Sequence, residues 1–497
     1  MSFNFLQPPW RGLSLVCAFA LLSLSANALA AKISTPTVTG PIAAPDVPGT
    51  PTHNYIFFAS NHELAKNGYV ESEYFFSGAA NRYNTPSGVT GSVIAGGPYA
   101  YTTRMVVRAP ADARKFNGTV LVEWLNVTNN FDADNFWFFD WEHVLAEGYA
   151  WVGVSAQRIG VNDLQTWNPT RYGSLNVTGG GQFTDDSLSY DIFSQAGEAI
   201  RHPGSVNVLN GLKPKVILAV GESQSANRLS TYVNSVNPLG NVYDGFVLLS
   251  TLGVKFRTDL TEPVFKLSTE YDVAQVEASA RQPNTPRFVE WEIAGSSHVD
   301  QHLRDSREPL ELRDNPLNTG TSSEAQLAPT CQIPSIGTLP PASAVVNAAV
   351  DHMVDWLKTG TQPPAAPYIK IAQLNTPPTY SVPARNALGL AEGGIQLPEV
   401  AVPTDLNVGV NAGPGACVRW GYHEPFSLDE LNAVYGGYNG YVNKVVKSAN
   451  ANVAAGYIEQ QDAQQSILSA IQSSVGNPTA KQKQNALENY FSSFGTD

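Results

Sequence analysis

The fold is decided by the stretch Val216-Ile217-Leu218-Ala219-Val220-Gly221-Glu222-Ser223-Gln224-Ser225. An apolar run is followed by a Gly-x-Ser-x-small turn and then by residues that suit a helix. A serine in a tight strand-to-helix turn has its hydroxyl raised above the sheet, where a base can reach it. The amino end of the following helix favours developing negative charge. Ser223 is therefore the candidate nucleophile, and the amide of Gln224 is a candidate oxyanion donor, although Ser225 stands where glycine is usual.

Short apolar runs alternate with helical patterns on both sides of this turn. Strands are expected at residues 74–78, 101–107, 120–125, 150–154, 216–220, 246–249, 264–267 and 287–293, and helices at 140–147, 190–201, 225–233 and 341–358. This alternation favours an α/β fold with a mostly parallel central sheet that is flanked by helices. Residues 157–188 lack either pattern and are expected to form a Gly-rich loop.

A nucleophilic serine needs a histidine as its general base and an acid that orients the histidine. After a serine in such a turn, the acid comes next along the chain and the histidine last. His298 lies in a small-residue loop just after the predicted strand 287–293, and it is the candidate base. Glu270 and Asp272 both follow the predicted strand 264–267. We prefer Asp272, which lies deeper in the loop, and Glu270 remains the alternative acid.

The second oxyanion donor is expected in the loop after residues 120–125, where the amides of Asn126 and Val127 are the candidates. Trp124 and the aromatic run 136–139 are expected either to line a pocket or to pack in the core. His298 and His302 have a spacing that can bind metal on a helix. Residue 299 is valine, where a metalloprotease motif carries glutamate, so we predict no metal ligands and no organic cofactor.

The composition argues against several partners and for an oxidising compartment. The net charge is −13, which repels nucleic acid, and we find no basic cluster that would bind an anionic membrane. A charged, apolar and then small-residue pattern predicts a signal peptide at residues 1–30, with an uncleaved anchor as the alternative. Cys17 lies inside it, so Cys331 and Cys417 are the cysteines left to form a disulfide; two separate thiols are the alternative.

The mature chain is expected to be one catalytic domain with additions. Residues 31–52, rich in Pro, Gly and Thr, predict an extended N-terminal arm, and residues 53–363 predict the catalytic domain. Residues 364–497 begin with a Pro/Gly-rich excursion and predict a helical C-terminal cover, in which Ser427 and Glu430 have the spacing of a capping box.

The chain resembles the alpha/beta hydrolase domain-containing proteins, which are large secreted or periplasmic members of the α/β-hydrolase superfamily. The resembling segments span most of the mature chain: residues 122–127, the turn 221–225, Thr269-Glu270-Tyr271-Asp272-Val273, residues 291–298, Gly393-Gly394-Ile395-Gln396-Leu397-Pro398 and the tail 426–462. The resemblance implies the α/β-hydrolase fold, a Ser223–His298–acid triad and hydrolase chemistry, and it implies no particular substrate.

These observations predict a secreted or periplasmic serine hydrolase that cleaves carboxylic esters, of small molecules or of polymers, through an acyl-enzyme. After signal cleavage we expect no membrane association and no nucleic-acid partner. Three alternatives stay open: an amidase or peptidase with the same triad, a binding protein that keeps the fold without catalysis, and a metal-dependent hydrolase built on His298 and His302.

Overall fold

The computed structural model describes residues 1–2, 33–84, 93–315 and 323–491. The predicted signal peptide lies outside these ranges except for its first two residues. Among the described residues, no helix is both long enough and apolar enough to cross a bilayer.

One large sheet organises the described part of the chain. Its nine strands are β1 Thr37–Thr39, β2 Tyr69–Asn84, β3 Val93–Pro110, β4 Thr119–Trp124, β5 Ala150–Val154, β6 Val216–Glu222, β7 Gly245–Leu249, β8 Val264–Thr269 and β9 Phe288–Ile293. They lie in the order β1-β2-β3-β5-β4-β6-β7-β8-β9. The pairings from β1 through β3 to β5 are antiparallel, and those from β5 to β9 are parallel. The prediction of a mostly parallel α/β sheet is confirmed.

The parallel strands form the core of the molecule. Every residue of β4, β5, β6, β7, β8 and β9 is buried. Strands covered on both faces are expected to read as continuous apolar runs, which is why their positions were predicted from the sequence within a few residues. Glu222 pairs with Leu249 and Thr269 pairs with Ile293, so β6 through β9 end at the same edge of the sheet.

Helices cover the sheet and its additions. Their bounds are α1 Asn135–Glu147, α2 Arg158–Trp167, α3 Pro169–Tyr172, α4 Ser189–Arg201, α5 Gln224–Thr231, α6 Asn237–Gly240, α7 Glu270–Asp272, α8 Ala278–Ala280, α9 Gln301–Asp314, α10 Ser323–Leu327, α11 Ala342–Thr359, α12 Pro398–Ala401, α13 Cys417–Trp420, α14 Leu428–Tyr435, α15 Tyr438–Ala454, α16 Gln460–Gln472 and α17 Ala480–Phe491. Helix α1 contacts α11 and β6, and α5 contacts β6 and β7.

Helix α1 begins before the predicted start at residue 140. The buried carboxylate of Glu123 accepts hydrogen bonds from the amides of Phe136 and Trp137, at 2.8 and 3.0 Å. These amides belong to the first helical turn, which has no acceptors of its own. A strand residue thus supplies the cap, and the aromatic run 136–139 enters the helix.

The prediction of a loop at residues 157–188 is wrong in its first half. Helices α2 and α3 lie within it. Helix α2 buries Val161 and Leu164, and Asn168 then caps α3 by accepting from the amide of Arg171 at 3.0 Å. The polar and Gly-rich composition concealed these helices because only one narrow side of α2 is apolar.

The C-terminal additions contain two small antiparallel sheets and several helices. The sheets pair β10 Ile371–Gln373 with β11 Val382–Pro383, and β12 Asp405–Val408 with β13 Tyr422–Pro425. Ser427 and Glu430 form the expected capping box at α14. A disulfide joins Cys331 to Cys417, as predicted, with a Cα–Cα distance of 5.4 Å. Within the N-terminal arm, β1 pairs with β2.

Candidate active site

Ser223 occupies a sharp turn between β6 and α5. Its φ of 56° and ψ of −118° lie in a backbone region that residues other than glycine rarely adopt. A Cβ on Gly221 would lie 2.9 Å from Leu229 Cδ1, so a larger residue at position 221 would crowd this leucine. Ser225 donates its hydroxyl to the Glu222 carbonyl at 2.9 Å and accepts from the Glu222 amide at 3.1 Å. The departure from the usual final glycine therefore adds a tie across the turn.

The three residues singled out in the sequence meet at the carboxyl edge of the sheet. Ser223 follows β6, Asp272 lies in the turn that follows β8, and His298 lies in the loop that follows β9. His298 Nε2 is 2.8 Å from Ser223 Oγ, and His298 Nδ1 is 2.8 Å from Asp272 Oδ1. The imidazole thus bridges the hydroxyl and the carboxylate. Both of its ring nitrogens are engaged.

The second oxygen of Asp272 is held by its own turn and by Ser250, which follows β7. Oδ2 accepts hydrogen bonds from Ser250 Oγ at 2.6 Å, from Thr269 Oγ1 at 2.6 Å and from the Thr269 amide at 2.9 Å. Asp272 is fully buried, and with Thr269 it forms a capping box at α7. These contacts fix the carboxylate so that its other oxygen faces the imidazole.

Glu270, the alternative acid, faces away from the histidine. Its Oε1 accepts from Arg385 Nη2 at 2.6 Å and from the Gly409 amide at 3.1 Å. Its Oε2 accepts from the Gly295 amide at 2.8 Å. Glu270 therefore ties the loop that carries His298 to the C-terminal excursion, whereas Asp272 contacts the imidazole itself.

Burial and charge act in opposite directions on these groups. Burial alone would lower the pKa of His298, but the carboxylates of Asp272 and Glu222 outweigh it, and the pKa is raised above its ordinary value. Burial would raise the pKa of Asp272, but His298 and the hydrogen bonds from Ser250 and Thr269 hold it below its ordinary value. Asp272 is thus kept ionised beside an imidazole that readily takes a proton.

Glu222 is a member of the site that the sequence analysis missed. Its Oε1 lies 3.4 Å from His298 Nε2, on the side of the imidazole that faces Ser223. Its Oε2 accepts from Asn135 Nδ2 at 2.9 Å and from Asn126 Nδ2 at 3.3 Å. Burial raises the pKa of Glu222, an effect that His298 partly offsets. The available signal was an ionisable residue between Gly221 and Ser223, directly beside the predicted nucleophile.

If ester hydrolysis uses His298 as the general base that the sequence predicts, replacing Glu222 by glutamine is expected to shift the acidic limb of the kcat/KM profile to lower pH. The base must be neutral to accept a proton, so activity appears as the pH rises through the pKa of His298. Removing a carboxylate that raises this pKa lowers it, and the limb follows. The profile is measured with a neutral ester. Asp429→Asn, which removes an exposed charge, should leave the limb in place; an unmoved limb in Glu222→Gln would contradict this role.

The three predicted oxyanion donors differ in whether their amides are available to a ligand. The amide of Gln224 lies in the first turn of α5, where helix amides have no intrahelical acceptor. The amide of Asn126 donates to the carbonyl of Ala133 at 2.9 Å in an isolated antiparallel bridge. Asn126 is therefore wrong as a backbone donor to a ligand. The amide of Val127 donates a long hydrogen bond of 3.3 Å to Gln224 Oε1. Of Asn126 and Val127, Val127 therefore has the amide that could turn to a stronger acceptor such as an oxyanion.

A pair of side-chain amides holds these two donors near each other. Gln224 Nε2 donates to Gln157 Oε1 at 2.7 Å, and Gln157 Nε2 donates back to Gln224 Oε1 at 3.1 Å. Gln157 Nε2 also reaches the carbonyl of Leu125 at 3.2 Å. The loop after β4 is thereby fixed to the start of α5. Sequence reasoning missed Gln157 because it lay in the segment expected to be a loop.

A cavity of about 200 Å³ opens onto Ser223 and His298. Its walls come from the loop after β4, from α9 and α10, and from α13. Apolar contributions include Leu303, Leu327 and Trp420. Trp124 and residues 136–139 instead lie fully buried in the core, which is the second of the two roles expected for them.

The two histidines of the metal alternative do not converge. The ring nitrogens of His298 face Ser223 and Asp272, whereas His302 Nε2 lies 3.5 Å from Glu142 Oε2. Among the described residues, no three side chains of the types His, Cys, Asp and Glu are grouped so that they could hold a metal ion. A site shared by His298 and His302 is therefore absent from the described part of the chain.

The sheet order, the serine turn at its centre and the cavity above it define a hydrolase of the α/β class. The chain belongs to the alpha/beta hydrolase domain family, whose model matches residues 38–467. The expected family and fold class are thereby confirmed. A search of curated proteins finds no match.

Three of the solved structures that are similar to this chain share little sequence with it. Esterase Est22 is 10% identical, with a TM-score of 0.26, over 42% of this chain and 67% of its own. XC6422 from Xanthomonas campestris, described as an a/b serine hydrolase without lid, is 13% identical, with a TM-score of 0.26, over 47% of this chain and 93% of its own. The rice cell wall degrading esterase LipA from Xanthomonas oryzae is 12% identical, with a TM-score of 0.22, over 37% and 44%.

Proposed function

We propose that the protein is a serine hydrolase of carboxylic esters that uses Ser223, His298 and Asp272 as a catalytic triad. The observation that carries this proposal is the pair of 2.8 Å contacts that the imidazole makes with the hydroxyl and with the carboxylate. This arrangement is the one that nucleophilic catalysis by serine requires, and it lies beside a cavity.

In the acylation step, His298 Nε2 takes the proton of Ser223 while Oγ forms a bond to the ester carbonyl carbon. Asp272 accepts from Nδ1–H, which keeps Nε2 free to act as the base and stabilises the imidazolium. The amides of Gln224 and Val127 donate to the tetrahedral oxyanion. When this intermediate collapses, the bond to the alcohol oxygen breaks and His298 returns its proton to the leaving alcohol.

Water then hydrolyses the acyl-enzyme through the same groups. His298 removes a proton from a water molecule, whose oxygen attacks the acyl carbon. The second tetrahedral intermediate releases Ser223, which regains its proton from the imidazolium. The products are a carboxylic acid and an alcohol, and every proton is exchanged through Nε2.

We further propose that the protein works in an oxidising compartment, after removal of residues 1–30. The disulfide between Cys331 and Cys417 supports this placement, because such bonds persist in secreted and periplasmic proteins and are rare in the cytosol.

A fluorophosphonate probe is expected to label folded protein at Ser223 and nowhere else. An activated serine attacks the phosphorus and forms a stable adduct, whereas an ordinary serine does not react. Peptide mapping locates the adduct, and heat-unfolded protein is the control that should remain unlabelled. Folded protein without an adduct would support the binding-protein alternative. Matched ester and amide substrates then decide between an esterase and an amidase.

A further inference from the structure

The cavity above Ser223 carries positive charge in a protein that is strongly acidic overall. The whole chain has a net charge of −13, with 30 basic residues among 497. Two of them, Arg307 and Arg419, line this one small cavity. The acidic residue that lines it is Glu222, whose pKa is raised by burial. The walls of the cavity therefore favour a negatively charged ligand more than the rest of the surface does.

Arg307 supplies a buried part of this charge. It lies on α9, is 5% exposed, and places its guanidinium carbon 5.9 Å from the centre of the Trp420 ring. Its charge is partly balanced by Glu311 and by Glu222. Arg307 therefore adds to the field in the cavity, but its carboxylate neighbours limit what it can offer to a ligand.

Arg419 supplies the exposed part. It lies on α13, and its guanidinium makes no ion pair or side-chain hydrogen bond with any residue in the described ranges. Its charge nevertheless reaches the catalytic centre, because it lowers the pKa of His298 against the effect of the carboxylates. An arginine that lines the cavity, acts on the catalytic imidazole and has no carboxylate partner is placed to bind one from a substrate.

We propose that this hydrolase selects esters that also carry a carboxylate, and that Arg419 binds this carboxylate at the edge of the cavity. This inference rests on the proposed ester hydrolysis at Ser223. The planar guanidinium presents two parallel N–H donors to a carboxylate. A bound carboxylate also cancels the charge of Arg419, which otherwise opposes formation of the imidazolium in the transition state. The anionic group thus assists binding and catalysis together.

The test compares esters that match in size and differ in charge. The pair meta-acetoxybenzoate and meta-acetoxybenzamide varies the charge on the alcohol side. The monomethyl ester of adipic acid and its amide counterpart vary it on the acyl side. Initial rates are followed by pH-stat titration for the parent protein, for Arg419→Gln and for Arg114→Gln. The last variant removes an equal charge at a remote, exposed site and serves as the control.

In at least one pair, the parent protein is expected to prefer the carboxylate by about tenfold in kcat/KM. Arg419→Gln should bring this ratio to about one, and Arg114→Gln should keep it. Because the ratio compares two substrates on one protein, a general loss of folding cancels. The preference should also weaken as salt is added, since Arg419 is exposed.

Three results would overturn the assignment, and one of them separates it from the proposed function. Ratios near one for both pairs in the parent protein would show an esterase without charge selection. A preference that persists in Arg419→Gln would place the selection elsewhere. If none of the four esters is hydrolysed, this inference fails, and the proposed function fails with it only if the fluorophosphonate probe also leaves Ser223 of the folded protein unlabelled.

Discussion

Replacing Ser223 by alanine is expected to lower kcat for ester hydrolysis by about 10⁵-fold or more. The variant loses the atom that bonds to the acyl carbon, so the acyl-enzyme cannot form. A residual rate above that in water should remain, because the oxyanion donors and the cavity are still present. Stopped assays on concentrated protein measure this residual rate.

The control for this prediction is Ser279→Ala, which removes an exposed hydroxyl far along the chain and should keep kcat. The Ser223→Ala protein should fold, since the hydroxyl contacts the imidazole and little else of the core. Circular dichroism and thermal unfolding check this point. A folded Ser223→Ala protein with parent-level activity would contradict the nucleophile assignment and would direct attention to a mechanism without acylation.

Replacing Asp272 by asparagine is expected to lower kcat by about 10⁴-fold, and replacing Glu270 by glutamine should change it far less. An amide at position 272 favours the wrong imidazole tautomer, so Nε2 carries a proton and cannot act as the base. Glu270, in contrast, contacts Arg385 and the amides of Gly295 and Gly409 rather than the imidazole. Steady-state kinetics on the two variants decides between the carboxylates.

Glu270→Gln should instead reduce stability, by an amount on the order of 1–3 kcal/mol. The substitution leaves Arg385 without its anionic partner and weakens the tie to the loop that carries His298. Denaturant unfolding measures this loss. If Glu270→Gln is the variant that abolishes catalysis while Asp272→Asn remains active, the acid has been assigned to the wrong residue.

The sequence was informative where a local pattern and the structural constraint coincide. Residues 216–221 are continuously apolar because both faces of the strand are covered, and a Cβ on Gly221 would crowd Leu229. Parallel strands that end at one edge then bring residues 223, 272 and 298 together, although 75 positions separate the serine from the histidine. Topology supplied what sequence spacing alone does not.

The parts that could not be predicted depend on contacts between distant segments. Asp272 was preferred from its place in the loop, but the separate role of Glu270 depends on Arg385, more than a hundred positions further along. The sequence favoured Asn126 as an oxyanion donor, but its amide pairs with Ala133 in a bridge that the sequence does not reveal. Glu222 and Gln157 became visible as parts of the site only when Asn135 and Gln224 were found beside them.

The disulfide between Cys331 and Cys417 makes the walls of the cavity depend on the redox conditions around the protein. Leu327, four residues before Cys331, lines the cavity, and so do Ala416, Arg419 and Trp420 around Cys417. One covalent bond therefore fastens two sides of the ligand chamber to each other, while Ser223, His298 and Asp272 are anchored independently by the sheet. In a reducing environment the same chain would retain its reactive centre, but the walls around its ligands would be joined by hydrogen bonds and packing without a covalent bond. On the proposed function, the surrounding redox conditions would then affect discrimination among ligands more than bond cleavage itself.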